Sequence, residues 1–144
     1  MAKRVLFLDR DGIIVEEDQV DTFEKIKYLP GVFGALSSIA QSGLFYLAMV
    51  SNQDGVGTPS FPKEEFEGPQ NRILETLAGE GIVFDAIHVD YSLPSDNCPG
   101  RKPGIGMLGE YFTDGYDLAN SVVIGDRLTD VKLARNLGCK AVWY

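Results

Sequence analysis

The stretch "FLDRDGIIV", residues 7–15, places two aspartates and a glycine at the end of an apolar run. From Val5 to Leu8 this run shows no alternation of apolar and polar residues, which indicates a strand covered on both faces, as in a parallel sheet. In open α/β sheets, ligands bind beyond the carboxyl ends of the strands. Asp9 and Asp11 are therefore predicted to lie in a binding crevice at the edge of a parallel sheet.

Apolar segments bounded by glycine or proline divide the rest of the chain into alternating helices and strands. Further strands are predicted at 44–50, 82–89, 121–124 and 141–144. Helices are predicted between Pro30 and Gly43 and at 63–79, 105–112 and 129–137. Gly68-Pro69 should kink or interrupt the second helix, and residues 16–27 form a charged flap or loop. This order predicts an α/β fold with a doubly wound, Rossmann-like parallel sheet, in a single domain spanning residues 1–144.

Composition and charge restrict the class of partner. The formal net charge of -8 at pH 7 argues against a general affinity for nucleic acid or for an anionic membrane surface. Cys98 and Cys139 do not form the pattern of a secreted disulfide framework. No segment resembles a signal peptide or approaches the roughly 20 apolar residues that a membrane span needs. We therefore expect a cytoplasmic protein that acts on a small molecule and binds neither nucleic acid nor membrane.

Polar residues follow four of the predicted strands and should converge on one crevice. They are Asp9 and Asp11, Ser51 and Asn52, Arg101 and Lys102, and Asp126 and Asp130. Carboxylates this close repel one another unless a hard divalent cation lies among them, and oxygen ligands with open positions suit Mg²⁺. Mg²⁺ in turn implies a phosphate group in the substrate. One carboxylate could attack phosphorus, and a second could carry the proton.

Four motifs resemble, in the same order, those of the haloacid dehalogenase (HAD) superfamily of phosphohydrolases: "DRDG" (9–12), "SN" (51–52), "RKP" (101–103) and "GDRLTD" (125–130). The resemblance implies a catalytic pair, with Asp9 as nucleophile and Asp11 as general acid and base. The implied phosphate ligands are Ser51, Asn52 and Lys102. The implied Mg²⁺ ligands are Asp9, the backbone carbonyl of Asp11, and Asp126, with Asp130 supporting the metal. Ile13 departs from the family, which usually has threonine there.

The loops between these motifs indicate the substrate. No gap is long enough for a substantial cap domain, so we expect a capless enzyme whose selectivity comes from short loops. The loop "SNQDGVGTPSFPKEEFEGPQN" (51–71) resembles that of the histidinol-phosphate phosphatase domain of histidine biosynthesis, as do residues 19–32 and 93–103. The resemblance implies hydrolysis of L-histidinol phosphate to L-histidinol and phosphate. The residues expected to bind this substrate are Glu17, Gln19, Asp54 and Arg101.

Two other functions stay open at this point. One is hydrolysis of a heptose bisphosphate or another sugar phosphate, as in the capless phosphatases of envelope sugar synthesis. The other is a non-catalytic, receiver-like module that only binds or stores phosphate.

The same resemblance bears on zinc and on partners. In these phosphatases the loop before "RKP" commonly binds structural zinc through three cysteines and a histidine. Here the corresponding residues are Asp90, Ser92, Cys98 and Gly100, so structural zinc is not expected. The histidinol phosphatase family also includes fusions to imidazoleglycerol-phosphate dehydratase. Fusion to or association with a dehydratase domain is therefore a further expectation.

Overall fold

The computed structural model describes residues 2–144, which form a five-stranded parallel sheet flanked by helices. In chain order the elements are β1 (Arg4–Leu8), α1 (Val32–Ser42), β2 (Phe45–Asn52), α2 (Lys63–Gly79), β3 (Ala86–Asp90), β4 (Val122–Gly125), α3 (Leu128–Leu137) and β5 (Lys140–Trp143). Short 3-10 turns lie at Phe23–Lys25, Pro94–Asp96, Gly109–Tyr111 and Leu118–Asn120. The strands lie in the order β3-β2-β1-β4-β5, so the chain winds outward from β1 in both directions. This confirms the predicted doubly wound α/β fold.

The central strand β1 sends alternate side chains into two separate cores. Leu6 and Leu8 lie in one core with side chains of α1 and α2. Val5 and Phe7 lie in the other with side chains of α3. Because both faces of β1 are covered, every position from Val5 to Leu8 is buried. The unbroken run of apolar residues in the sequence therefore reflects burial of β1 on both faces, as predicted.

The predicted helix at 105–112 is wrong. Only Gly109–Tyr111 is helical among these residues, as one 3-10 turn. Gly106 packs so closely on the backbone of Pro99 that it has no room for a Cβ, and it donates its N–H to the Pro99 carbonyl at 2.9 Å. This contact across the loop replaces helical hydrogen bonding, while Leu108 is still fully buried. Loop packing rather than a helical face explains the apolar spacing here.

The third strand also begins later than predicted, at Ala86 instead of residue 82. Ile82 lies just beyond the end of α2, where its N–H donates to the Leu77 carbonyl at 2.9 Å and its side chain is buried in the core beneath α1 and α2. The Asp85 carboxylate accepts the N–H of Leu47 at 2.8 Å immediately before the strand starts. The apolar residues at 82–84 therefore lie in the connection between α2 and β3.

Helix α2 runs uninterrupted through Gly68-Pro69, so of the predicted kink or interruption, the interruption is wrong. Proline removes one N–H and hence one bond to the carbonyl four residues earlier. The buried residues of α2 form one stripe that packs on the rest of the fold and offsets this loss: Phe66, Pro69, Gln70, Ile73 and Leu77. With 17 residues, α2 is the longest described helix, and across residues 2–144 no helix has both the length and the apolar character to cross a membrane.

Candidate active site

A cleft opens at the carboxyl ends of the central strands. Leu8, the last residue of β1, pairs with Met49 on β2 and with Ile124 on β4, so the residues that follow these strands meet. The inner part of the cleft is lined by Asp9, Asp11, Glu17, Asn52, Lys102, Arg127 and Thr129. The structure thus brings together residues from all four of the motifs singled out in the sequence.

Asp9, which lines the inner cleft, forms an acidic centre with Asp126 and Asp130, because each of the three offers one oxygen within 4.8 Å of the others. Oδ1 of Asp126 is buried and has no hydrogen-bond partner among the described residues. Burial raises the pKa of the Asp126 carboxyl, and the Asp130 carboxylate also raises it. Gly12 has no room for a Cβ because the Asp126 carboxylate fills that space. An unpartnered carboxylate oxygen beside two more carboxylates fits a divalent cation, and Asp9 and Asp126 are the residues that could ligate it directly.

Asp130 differs from the other two because protein groups already bind both of its oxygens. Oδ1 accepts a hydrogen bond from Nζ of Lys102 at 2.8 Å, and Oδ2 accepts the N–H of Arg127 at 3.3 Å. Its carboxylate also fills the space that a Cβ on Gly125 would need. Asp130 therefore holds the lysine and the start of α3 in place, which suits a supporting role beside a metal rather than direct ligation.

Lys102 enters the cleft from the loop after β3 and is only 5% exposed. Its Nζ donates to the carbonyl of Val50 at 2.9 Å and lies 3.3 Å from Oδ1 of Asp9. Asn52 holds the lysine backbone from both sides, because its Oδ1 accepts the Lys102 N–H at 3.0 Å and its Nδ2 donates to the Lys102 carbonyl at 3.4 Å. Asn52 therefore orients the predicted phosphate-binding ammonium as well as lining the cleft.

Asp9 is buried at the end of β1, and its Oδ1 accepts the N–H of Arg10 at 2.8 Å. Burial raises the pKa of the Asp9 carboxyl to about 6; the Lys102 ammonium opposes this rise, and the carboxylates of Asp130 and Asp11 add to it. A raised pKa means that the ionised carboxylate is costly in the metal-free protein. A cation bound beside it would favour the ionised form, which is the nucleophilic one.

A buried polar cluster behind Asp11 was not predicted from the sequence. Arg10 is fully buried, and its guanidinium donates to Asp11 Oδ1 at 2.7 Å, to Gln70 Oε1 at 2.9 Å and to Gln53 Oε1 at 3.1 Å. Gln53 in turn donates to Asp11 Oδ2 at 3.1 Å and to Ser51 Oγ at 2.7 Å. Two signals were available: an arginine between the motif aspartates, and a glutamine on the apolar stripe of α2.

The outer part of the cleft is acidic and is lined by Asp11, Glu17, Asp18, Gln19, Asn52, Gln53, Asp54, Phe61 and Arg127. Glu17 forms an ion pair with Arg127, which lines both parts of the cleft and was not among the predicted site residues. Asp54 forms an ion pair with Arg101 at 2.5 Å. Of the four predicted substrate-binding residues, Glu17, Gln19 and Asp54 line the outer cleft, whereas Arg101 contacts it through Asp54.

The loop at 90–100 holds the residues that the sequence analysis compared with a zinc-binding pattern. The Asp90 carboxylate accepts hydrogen bonds from the N–H of Ser92 at 2.9 Å and from its hydroxyl. Cys98 is exposed and forms no disulfide, and Gly100 offers no ligand. One thiol and one carboxylate that is already hydrogen-bonded do not fit the closed Cys and His tetrahedron of structural zinc.

Residues 100–144 match the family model described as HAD-hydrolase-like. Over 99% of its length, the chain is similar to the histidine biosynthesis bifunctional protein HisB of Spirosoma linguale, at 47% identity, and to that of Bacteroides fragilis, at 51% identity. The chain spans 38% and 40% of the lengths of these two relatives.

Two solved structures share the fold closely. A Mesorhizobium loti protein described as a HAD-like phosphatase has 30% identity and a TM-score of 0.82, over 96% of this chain and 70% of that one. The D,D-heptose 1,7-bisphosphate phosphatase of B. bronchiseptica, in complex with magnesium and phosphate, has 28% identity and a TM-score of 0.83, over 96% of this chain and 78% of that one.

Proposed function

The chain belongs to the HAD-like phosphatases, and we propose that its cleft hydrolyses phosphomonoesters with Mg²⁺ through an aspartyl-phosphate on Asp9. The observation that carries this proposal is the convergence of Asp9, Asp126 and Lys102 from segments that follow three different strands. They supply a nucleophilic carboxylate, a cation ligand with a free oxygen, and an ammonium for the phosphoryl group. The magnesium and phosphate in the heptose bisphosphate phosphatase structure support the same use of the cleft.

In the first step, the Asp9 carboxylate attacks phosphorus while Asp11 gives its proton to the leaving oxygen. The bond between phosphorus and that oxygen breaks as the new bond to Asp9 forms, which yields the alcohol, the aspartyl-phosphate and ionised Asp11. Lys102 and Ser51 bind the phosphoryl oxygens, since the Ser51 hydroxyl accepts from Gln53 and still has its own proton to donate. Mg²⁺ held by Asp9 and Asp126 would neutralise charge on the phosphoryl oxygens.

In the second step, ionised Asp11 takes a proton from water as the water oxygen attacks phosphorus. The bond between phosphorus and Asp9 breaks, which releases phosphate and restores both side chains to their starting states. Asp11 thus serves as acid and then as base, and this requires its carboxyl to stay aimed at one place throughout the cycle.

Mg²⁺ should stabilise the folded protein, because it binds carboxylates that repel one another in its absence. At a concentration of about 100 times its Kd, the gain is roughly 2.7 kcal/mol, or a rise of about 5–11 °C in the thermal midpoint for a domain of this size. Asp126→Asn should lose most of this rise, whereas Asp114→Asn, at an exposed position away from the cleft, should retain it. An equal rise in both variants, measured by thermal unfolding with Mg²⁺ or with EDTA, would place the cation elsewhere.

The proposed substrate is L-histidinol phosphate. Support comes from the identity of 47–51% to proteins named for histidine biosynthesis, over 99% of this chain. The outer cleft offers further support, because Glu17, Asp18 and Asp54 line it beside Phe61, and these carboxylates outnumber the two arginines, Arg127 and Arg101, that pair with Glu17 and Asp54. Such a surface suits a leaving group that carries an ammonium and a flat imidazole better than it suits the second, anionic phosphate of a heptose bisphosphate.

The heptose bisphosphate alternative is favoured by one observation, the structural similarity to a phosphatase of that substrate. Turnover of both compounds, measured as released phosphate under identical conditions, separates the two proposals. We expect kcat/KM for histidinol phosphate to exceed that for heptose 1,7-bisphosphate by at least about 100-fold, in line with the loss of two or more polar contacts. The opposite ranking would assign the sugar phosphate.

Glu17→Gln should raise KM for histidinol phosphate more than KM for p-nitrophenyl phosphate. The reason is that only the first substrate carries a cationic group, and loss of one charged contact costs about 1.5–3 kcal/mol, or roughly 10- to 100-fold in KM. Glu16→Gln is the matched control, because Glu16 is exposed and does not line the cleft. Equal changes in KM for both substrates would remove Glu17 from substrate recognition.

The longer relatives bear on partners as well. They are named bifunctional, and we include association with an imidazoleglycerol-phosphate dehydratase domain, fused or separate, in the proposal. Co-elution of this chain with such a dehydratase on size exclusion would support a separate complex, and independent elution would argue against one.

A further inference from the structure

We propose that Arg10 is a positioning residue that aims the carboxyl of Asp11 at the leaving group, and that Gln53 and Gln70 hold Arg10 in place for this task. The inference rests on the proposed function, in which Asp11 protonates the leaving oxygen. It goes further by assigning a catalytic purpose to the residue between the two motif aspartates, which no step of the reaction uses directly.

The burial of Arg10 is the first observation. A guanidinium with no exposed surface is costly unless its donors are paired, and a position beside an open cleft would allow a long side chain to reach water instead. Arg10 turns inward, where Gln53 and Gln70 accept its terminal N–H groups and its guanidinium lies 5.5 Å from the centre of the Phe66 ring. Two buried glutamines and the Phe66 ring therefore hold this one arginine in place.

The second observation is the direction in which Arg10 acts. Its Nε–H donates to Oδ1 of Asp11 at 2.7 Å, while Gln53, which also accepts from Arg10, donates to Oδ2 of the same carboxylate at 3.1 Å. Both oxygens of Asp11 are therefore held by groups that are themselves held. Each oxygen keeps a second lone pair, and that position can carry the transferred proton. The carboxyl plane is fixed without using up its capacity for proton transfer.

The same cluster reaches the phosphate site. Gln53 donates to Ser51 Oγ at 2.7 Å, so one side chain links the proposed phosphate ligand to the proposed acid. Loss of the Gln70 acceptor removes no contact of Ser51, so a shift of Arg10 should move the proton donor relative to a phosphoryl group that stays in place. Misplacement of a catalytic group by about 1 Å can cost on the order of 100-fold in rate.

Gln70→Met is the sharpest test, because methionine keeps the length of the side chain and removes the acceptor for Arg10. The test compares two substrates. One is the alkyl phosphate that the wild-type protein hydrolyses fastest, which we propose is histidinol phosphate. The other is p-nitrophenyl phosphate, whose leaving group departs without protonation. We expect kcat/KM for the alkyl phosphate to fall by about 10- to 100-fold, with the value for p-nitrophenyl phosphate within about twofold of wild type. A purely structural role would lower both values together.

Two further variants complete the design. Gln70→Glu keeps an acceptor for Arg10 and should restore the wild-type ratio between the substrates. Arg4→Met, which removes an arginine that packs over Phe45 at the opposite end of β1, should leave the ratio unchanged. If Gln70→Met does not fold, Arg10→Lys takes its place, since lysine cannot bind Asp11 and both glutamines at once.

The possible outcomes distinguish a failure of this inference from a failure of the proposed phosphatase function. A selective loss with the alkyl phosphate supports the inference, and parallel losses or no loss would overturn it while leaving the phosphatase proposal intact. A wild-type protein that hydrolyses neither substrate would overturn both together.

Discussion

Asp9→Asn should abolish phosphate release and at the same time make the metal-free protein more stable. The loss of activity is expected because Asp9 supplies the carboxylate oxygen that bonds to phosphorus. Asparagine has no carboxylate oxygen to supply. Removal of a covalent nucleophile typically costs on the order of 10⁴- to 10⁶-fold in kcat. Asparagine can still accept the N–H of Arg10, which now bonds to Asp9 Oδ1 at 2.8 Å, so the local backbone should persist.

The gain in stability follows from the pKa of Asp9. Its ordinary value is 3.8, and burial raises it to about 6 in the folded protein. The Asp9 carboxyl binds its proton more tightly in the folded protein than in the unfolded one. Its stabilising contribution to the folded protein is therefore fully present below about pH 4 and is lost as the pH rises through about 6. A difference of about two pKa units corresponds to roughly 3 kcal/mol. Asp9→Asn carries no such cost and should unfold about 6–12 °C higher in EDTA near pH 7.5.

Thermal unfolding of wild type and Asp9→Asn in EDTA over a range of pH checks this gain in stability directly. The advantage of Asp9→Asn should shrink toward zero near pH 4, where wild-type Asp9 is protonated, and should shrink at neutral pH when Mg²⁺ is added. Asp114→Asn, at an exposed position, serves as the control and should show no gain. A less stable Asp9→Asn protein at neutral pH without metal would contradict the electrostatic description of the cleft.

Asp11→Asn should convert the enzyme into one that stalls after its first step. With p-nitrophenyl phosphate, transfer to Asp9 needs no acid, so p-nitrophenol should appear in a burst of one equivalent per active site. The second step lacks its base, and steady turnover should fall by about 10²- to 10⁴-fold. Rapid-mixing absorbance measurements record both phases.

The same variant distinguishes the enzyme from a receiver-like module. A receiver stores its phosphoryl group, so replacement of a proton carrier would leave the lifetime of its aspartyl-phosphate unchanged. Absence of a burst together with an unchanged steady rate would remove Asp11 from the chemistry. A burst that appears in wild type and variant with the same decay would favour storage of phosphate over its release.

The parts of this structure that follow from local sequence were predictable. The unalternating run at 5–8 indicated a strand buried on both faces, and β1 is that strand. The motif residues were predicted to meet because the carboxyl ends of parallel strands lie along one edge, and Asp9, Lys102 and Asp126 do meet. These predictions depend only on burial and on sheet topology, which the pattern of apolar residues encodes.

The parts that depend on contacts between distant segments were not predictable. Gly106 packs on the backbone of Pro99, and this contact replaces a helix that the apolar spacing alone would favour. The Arg10 cluster joins a strand end, a loop and α2, with a sequence separation of 60 between Arg10 and Gln70. The ion pair between Glu17 and Arg127 likewise joins two loops from opposite ends of the chain. The spacing of apolar residues along the chain does not predict such contacts between distant segments.

The proposed activity is tested most directly by phosphate release from L-histidinol phosphate by the purified protein, with Mg²⁺ present, then after chelation by EDTA, then after Mg²⁺ is restored. We expect release with Mg²⁺, a fall to background after chelation, and recovery on restoration. Release that continues undiminished in EDTA, or no release from any phosphomonoester tested with Mg²⁺ present, would contradict it.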